Sequence, residues 1–145
     1  MSVLPRTVRL ERLRSLLADK GKATGNQKLF YKNTLESHPT FRVDLEWLIY
    51  NEHNGRLESE MLTWKKQNSI EDGIDDSELN DQIDKFLWNV NVTKNKQTLE
   101  DLEQKGQLRP AIVTLDGVII DGNRRAMLLR RAKKQWIEAV ILPDA

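Results

Sequence analysis

Two adjacent arginines and a glycine lie together near the C-terminal end of the chain, in the segment Asp121-Gly122-Asn123-Arg124-Arg125. A short apolar strand pattern precedes this segment and a helical pattern follows it, which places the arginines in the first turn of a helix. A helix start exposes unpaired N–H groups and the positive end of the helix dipole, and these groups bind phosphate well. Gly122 leaves room for a ligand to approach, and Asn123 is predicted to be the N-cap.

Arginines at a helix start are unfavourable unless an anion lies between them and the dipole. Arg124 and Arg125 diverge by about 100° around the helix axis, so we expect one of them to face a ligand. Asp121 has two interpretations, because it could hold Mg²⁺ or a metal-bound water, or it could cap the helix. These residues alone leave a phosphate site and an ordinary turn with solvated arginines both open.

A second group of polar residues follows a predicted strand in the middle of the chain. Asn51, Asn54 and Arg56 could line the same pocket from the end of that strand, or form an ordinary turn. Arg109, just before another strand, could reach a phosphate or be solvated. Glu52 is the obvious carboxylate near these residues and is a candidate general base.

The composition excludes several kinds of chemistry. The chain has 145 residues, of which 31% are charged and 39% hydrophobic, with a net charge of +1. This is the profile of one ordinary folded domain, and it gives no argument for a nucleic-acid partner from net charge. The absence of cysteine excludes disulfides and thiolate sites, and the two histidines lie in no zinc-binding helix motif. No apolar run approaches a membrane span or a secretory signal, so a cytoplasmic protein is expected.

The remaining pattern predicts alternating helices and strands. Residues 6–19 read as an amphipathic helix with a basic outer face, and 21–28 read as a loop. Asp116-Gly117 is a strong hairpin turn signal, and four tryptophans at apolar positions are predicted to be core. The other predicted helices are 58–68, 77–89 with Ser77 as N-cap, 98–105 with Thr98 as cap, and the helix that runs from the arginine turn to about Lys134. The other predicted strands are part of 41–50, then 111–115, 118–120 and 136–142.

Two ordered stretches of the chain resemble the ParB/sulfiredoxin superfamily. They are Gly106-Gln107-Leu108-Arg109-Pro110-Ala111-Ile112-Val113 and Asp116-Gly117-Val118-Ile119-Ile120-Asp121-Gly122-Asn123-Arg124-Arg125. They look like the superfamily's G-x-x-x-P approach to a strand, its hairpin and its (D)G-x-x-R turn. Asn54-Gly55-Arg56 resembles its earlier N-x-R element. The resemblance covers roughly residues 41–56 and 97–142.

The resemblance implies an α/β (α+β) fold with a small mixed sheet flanked by helices, forming a single domain over residues 1–145. On this interpretation, residues 1–40 are an N-terminal helical extension, 57–95 are a helical insertion, and 96–142 are the nucleotide-binding hairpin-helix core. Since the chain ends directly after the last predicted strand, we expect a piece of a longer protein.

The superfamily implies nucleotide binding. ParB proteins bind and hydrolyse CTP, related free-serine kinases use ATP, and similar D-G-x-x-R domains occur in DNA-modification and phage-restriction systems. The leading Asp121 makes this chain look closer to the last group, and the missing cysteine excludes sulfiredoxin activity.

We therefore expect an NTP-binding module for ATP or CTP with Mg²⁺ in a bacterial DNA-related or anti-phage system, with weak NTPase activity left open. The expected catalytic residues are Glu52 and Asp121, with Asp121 also the metal ligand. The expected nucleotide-binding residues are Asn54, Arg56, Arg109, Gly122, Asn123, Arg124 and Arg125. Two alternatives remain: a module without catalysis that binds the DNA backbone or a protein partner, and an ATP-dependent serine-type kinase.

Overall fold

The computed structural model describes residues 3–70, 75–106 and 109–144. These residues form an α+β fold with five α-helices and a five-stranded mixed sheet, which confirms the predicted fold class. The helices are α1 (Arg6–Ala18), α2 (Gly55–Gln67), α3 (Asp76–Asn89), α4 (Val92–Lys105) and α5 (Asn123–Arg131). The strands are β1 (Gly25–Tyr31), β2 (Thr34–Asp44), β3 (Ala111–Val113), β4 (Ile119–Asp121) and β5 (Trp136–Ile141). None of the described helices is long and apolar enough to span a membrane.

The sheet has the strand order β1-β2-β5-β3-β4. The central strand β5 pairs antiparallel with β2 and parallel with β3. Each of its neighbours is the inner strand of an antiparallel hairpin, β1–β2 on one side and β3–β4 on the other. The sheet therefore consists of two hairpins joined by the last strand in the chain.

The β1–β2 hairpin overturns two predictions. Residues 21–28 are not a loop throughout, and the stretch before residue 40 is not a helical extension beyond α1, since β1 begins at Gly25 and β2 at Thr34. Lys32 and Asn33 make the turn with φ values of 52° and 63°, the left-handed geometry that suits a two-residue hairpin. The strand predicted within 41–50 starts earlier and ends at Asp44, after which residues 45–47 form a 3₁₀ turn.

One side of the sheet carries the core. Alternate residues of β2 and β5 point to this side and pack with α1 and α5 in one apolar cluster, which includes Phe41, Val43, Ile137, Ala139, Leu13 and Met127. The tryptophan prediction holds only in part. Trp47 and Trp88 pack against the cluster, while Trp136 is 42% exposed and stacks against Arg42.

Two helix starts differ from the prediction. Asp75 is the N-cap of α3, accepting the Ser77 N–H, so Ser77 is not the cap. The helix expected from Thr98 begins at Val92, where the Asn91 side chain caps it by accepting the Lys94 N–H. Parts of the predicted insertion and of the approach to β3, at residues 71–74 and 107–108, lie outside the described residues.

The expected basic outer face of α1 contains one exception. Arg9 is only 2% exposed and donates hydrogen bonds to the carbonyl oxygens of Leu4 (2.6 Å) and Asp116 (2.9 Å). Burial lowers the pKa of Arg9 from its ordinary value, and Asp76 and Asp116 oppose that effect. Arg9 therefore fastens α1 to the turn between β3 and β4.

Position 117 in that turn requires glycine, both for its backbone conformation and because neighbouring atoms leave no room for a side chain. Its φ is 86°, and a Cβ placed there would collide with the Trp47 carbonyl oxygen and lie 3.2 Å from the Arg9 Cδ.

We expect Gly117→Ala to lower the free energy of unfolding by about 2 kcal/mol or more, measured by urea denaturation. Gly21→Ala is the matched control, because its nearest neighbour is the Asp19 side chain at 3.5 Å, and it should change stability by less than about 0.5 kcal/mol. Equal effects of the two substitutions would contradict this account.

Candidate functional site

The start of α5 is set by Gly122, which follows β4 directly. Gly122 is the N-cap residue, with a φ of 118°, and no side chain caps the helix start. A Cβ at this position would lie 2.9 Å from the Ala111 Cβ on β3. Glycine is therefore needed both for the left-handed backbone and for the close approach of helix to sheet.

Asn123 is not the N-cap that the sequence predicted. It is the first residue of α5 and is only 7% exposed. Its Nδ2 donates to the Asn51 carbonyl oxygen (3.0 Å), and its Oδ1 accepts the Asn51 N–H (3.2 Å). We call this reciprocal pair the asparagine clasp. It holds the loop before α2 against the start of α5.

The start of α2 lies three residues beyond the clasp. Asn54 is its N-cap residue, but no side chain hydrogen-bonds to the helix start. Arg56 is exposed in the first turn, and we find no hydrogen bond or ion pair from it to the part of the chain that the structure describes. Its guanidinium is thus available to an external anion.

Both helix starts line one cleft of about 540 Å³. The predicted residues that it brings together are Asn54, Arg56, Asp121, Gly122, Asn123, Arg124 and Arg125. The end of α3 forms another wall of the cleft, with Phe86, Leu87 and Val90. Arg109 and Glu52 are not among the lining residues.

Arg124 and Arg125 do diverge, but the protein itself binds both. The Arg124 Nε donates to Asn95 Oδ1 (2.9 Å), and its Nη2 donates to Thr98 Oγ1 (3.0 Å). Asn95 is 1% exposed and donates in turn to the carbonyl oxygens of Leu87 and Trp88 at the end of α3. Arg124 therefore ties α5 to α4 and, through Asn95, to α3.

Arg125 points to the other side, toward the approach to β3. Its Nη1 donates to the carbonyl oxygens of Arg109 (2.8 Å) and Pro110 (2.9 Å), and its Nη2 lies 3.3 Å from an Asp121 carboxylate oxygen. The Arg125 side chain is 23% exposed and is among the residues that line the cleft.

Asp121 does not cap α5, so that interpretation is wrong. Its carboxylate pairs with Arg109 and Arg125, each at 3.3 Å. It is the one carboxylate among the described residues lining the cleft, and no group of three or more potential metal ligands occurs in the described ranges. A magnesium ion would fit here only if phosphates supplied most of its ligands, with Asp121 contributing one oxygen.

Glu52 lies outside the cleft and forms an ion pair with another residue. The Lys65 Nζ lies 2.8 Å from its carboxylate, and both side chains are mostly buried. The neighbouring His53 is exposed and lies 3.7 Å from the same carboxylate. The structure does not bring this predicted base together with the arginines.

The cleft wall formed by α3 depends on Tyr50. Its N–H donates to Asn80 Oδ1 (2.8 Å), and its hydroxyl donates to Asp84 Oδ2 (2.7 Å). Burial raises the pKa of the Tyr50 phenol well above its ordinary value, so the hydroxyl stays protonated and keeps donating. Arg131 on α5 pairs with the same Asp84 at 2.7 Å.

The side chains that bind Arg124 were not predicted from the sequence, and neither was the apolar wall of the cleft. Asn95 and Thr98 lie in a polar helical stretch with no local signal of burial, apart from the unusual position of an asparagine within a helix. The helical spacing of Phe86, Leu87 and Val90 is found in any amphipathic helix, so it did not indicate that these residues line a cleft.

Comparisons of the chain with models of known protein families, with curated proteins and with solved structures found no match. The ParB/sulfiredoxin resemblance therefore stays a prediction from the sequence motifs.

The asparagine clasp gives a direct test of how the cleft is held. We expect Asn123→Ala to lower the free energy of unfolding by about 1–3 kcal/mol, because it removes two hydrogen bonds and leaves the Asn51 backbone groups without partners. The measurement is urea denaturation followed by far-UV circular dichroism. The control is Asn89→Ala at the exposed end of α3, which should change stability by less than about 0.5 kcal/mol. A loss at Asn123 no greater than the control's would show that the clasp contributes little.

Proposed function

We propose that this chain binds a nucleoside triphosphate, with its phosphates at the two helix starts that line the cleft. The observation that supports this most is the convergence of the uncapped starts of α2 and α5 on one cleft that also contains the unengaged Arg56. Two helix starts without a side-chain cap and a guanidinium form a strong receptor for a polyphosphate.

The charge distribution also favours an anionic ligand. The first turn of α5 contains Arg124 and Arg125 and no acidic residue, so its charges oppose the helix dipole. Such an arrangement is unfavourable for the helix by itself, and Asp121 offsets only part of the repulsion. A bound phosphate would relieve this repulsion and would add Arg56 to the neutralised charges.

Binding is better supported than rapid turnover. Hydrolysis of a nucleotide requires a group that orients or deprotonates the attacking water. Asp121 is paired with two arginines, and Glu52 is paired with Lys65 outside the cleft. We therefore propose a nucleotide-binding module with at most slow NTPase activity, in which Mg²⁺ enters with the phosphates.

The same groups would accept a phosphodiester of a DNA backbone, since Arg56 is exposed on the rim of the cleft. A backbone-binding module would show strongly salt-dependent DNA binding that nucleotide does not affect. The serine-type kinase has less support, because its expected base Glu52 is engaged elsewhere.

A thermal-shift panel tests the proposal. At a concentration about 100 times its Kd, ATP or CTP with Mg²⁺ should stabilise the fold by about 2.7 kcal/mol and raise Tm by roughly 5 °C or more. Arg56→Ala should remove most of this shift without changing Tm in the absence of ligand, because Arg56 has no partner to lose within the described structure.

Arg12→Ala is the matched control, an exposed arginine on α1 outside the cleft, and it should keep the full shift. The proposal fails if no nucleoside triphosphate shifts Tm with or without Mg²⁺, or if Arg12→Ala loses as much of the shift as Arg56→Ala. Arg125→Ala is a poor first test, because it also removes hydrogen bonds to the carbonyls of Arg109 and Pro110.

A further inference from the structure

The cleft has a cationic side and an apolar side. The helix starts and Arg56 make the cationic side, and the end of α3 makes the apolar side with Phe86, Leu87 and Val90. Val90 is 49% exposed, whereas Phe86 and Leu87 are partly buried against the core. A ligand that matches both sides has an anionic end and a flat apolar part.

The size of the cleft agrees with such a ligand. A volume of about 540 Å³ is in the range of pockets that enclose whole small molecules. Inorganic phosphate would meet the cationic side and leave the apolar wall in contact with water. A nucleotide would place its phosphates at the helix starts and cover the wall with its base.

The polar side chains near this wall are mostly engaged. Asn95 is bonded to Arg124 and to two carbonyl oxygens, and Asn123 belongs to the clasp. Asn54 is the one uncharged polar side chain among the described lining residues for which we find no hydrogen bond within the described structure. The cleft thus offers little that could read the hydrogen-bonding edge of a base.

We infer that Phe86, Leu87 and Val90 form a base-binding wall that accepts purines and pyrimidines with little discrimination. The inference rests on the proposed function and extends it to the specificity of the site. Stacking on an apolar surface tolerates every base, because each base has a π-face. Strong discrimination requires polar groups that would be left unpaired by the wrong base, and this wall has none.

Calorimetric titration of the whole chain tests the inference with five ligands, each with Mg²⁺: ATP, GTP, CTP, UTP and tripolyphosphate. The four nucleotides should have Kd values within about tenfold of one another, and tripolyphosphate should bind at least about tenfold more weakly than any of them. One nucleotide that binds more than about tenfold tighter than the other three overturns the inference.

Variants of exposed apolar residues locate the wall. Val90→Ser should weaken nucleotide binding about threefold or more and leave tripolyphosphate binding unchanged. Leu62→Ser is the matched control, since Leu62 is 53% exposed on α2 and does not line the cleft. Equal nucleotide affinity of Val90→Ser and Leu62→Ser also overturns the inference.

The two proposals fail in different ways. If tripolyphosphate binds as tightly as the nucleotides, the base-binding wall is wrong while the phosphate site stands. If neither tripolyphosphate nor any nucleotide binds, the proposed function is wrong, and the inference about the base-binding wall falls with it.

Discussion

The asparagine clasp is the contact on which the cleft depends. The start of α5 is already fixed to the sheet, because Gly122 packs against Ala111 on β3. The start of α2 packs into the core through Leu57, and the clasp connects it to α5 only three residues before Asn54. An amide is the side chain suited to this position, because it donates and accepts at once, whereas a carboxylate only accepts. One buried side chain therefore connects the loop before α2 directly to the start of α5.

The paired arginines have a structural explanation that the sequence alone did not provide. Each guanidinium offers several donors in a plane, and each is used on acceptors from another element. Arg124 holds α4, and Arg125 holds the approach to β3. The motif that suggests phosphate binding is thus also required to assemble the walls of the cleft. The cation left for a ligand comes from the other helix start, at Arg56.

The parts of the fold that were predicted from sequence have strong local signals. Apolar periods bounded by turn residues mark the helices α1 and α3, the β3–β4 hairpin and β5. The observed bounds of these elements lie within a few residues of the predicted ones. The β1–β2 hairpin was missed because β1 is an exposed edge strand without alternation, and its Lys32-Asn33 turn has no glycine. For the site, the sequence indicated the residues at the two helix starts, whereas Glu52 and Arg109 do not line the cleft and its apolar wall was not predicted. It could not indicate which arginine is free, because the partners of Arg124 are distant in the chain and Arg125 donates to two backbone carbonyls besides its local pair with Asp121.

The central position of β5 has a consequence for how the protein folds. The β1–β2 and β3–β4 hairpins are local and can form early, but in the described sheet they are joined only by pairing with β5. Until β5 inserts, the inner edges of β2 and β3 present unpaired backbone groups to solvent and to other chains. Pairing β5 with β2 closes a loop that includes α2 to α5, and contacts of such large sequence separation form slowly. We therefore expect this insertion to limit the rate of folding, and aggregation during refolding to start from those two edges.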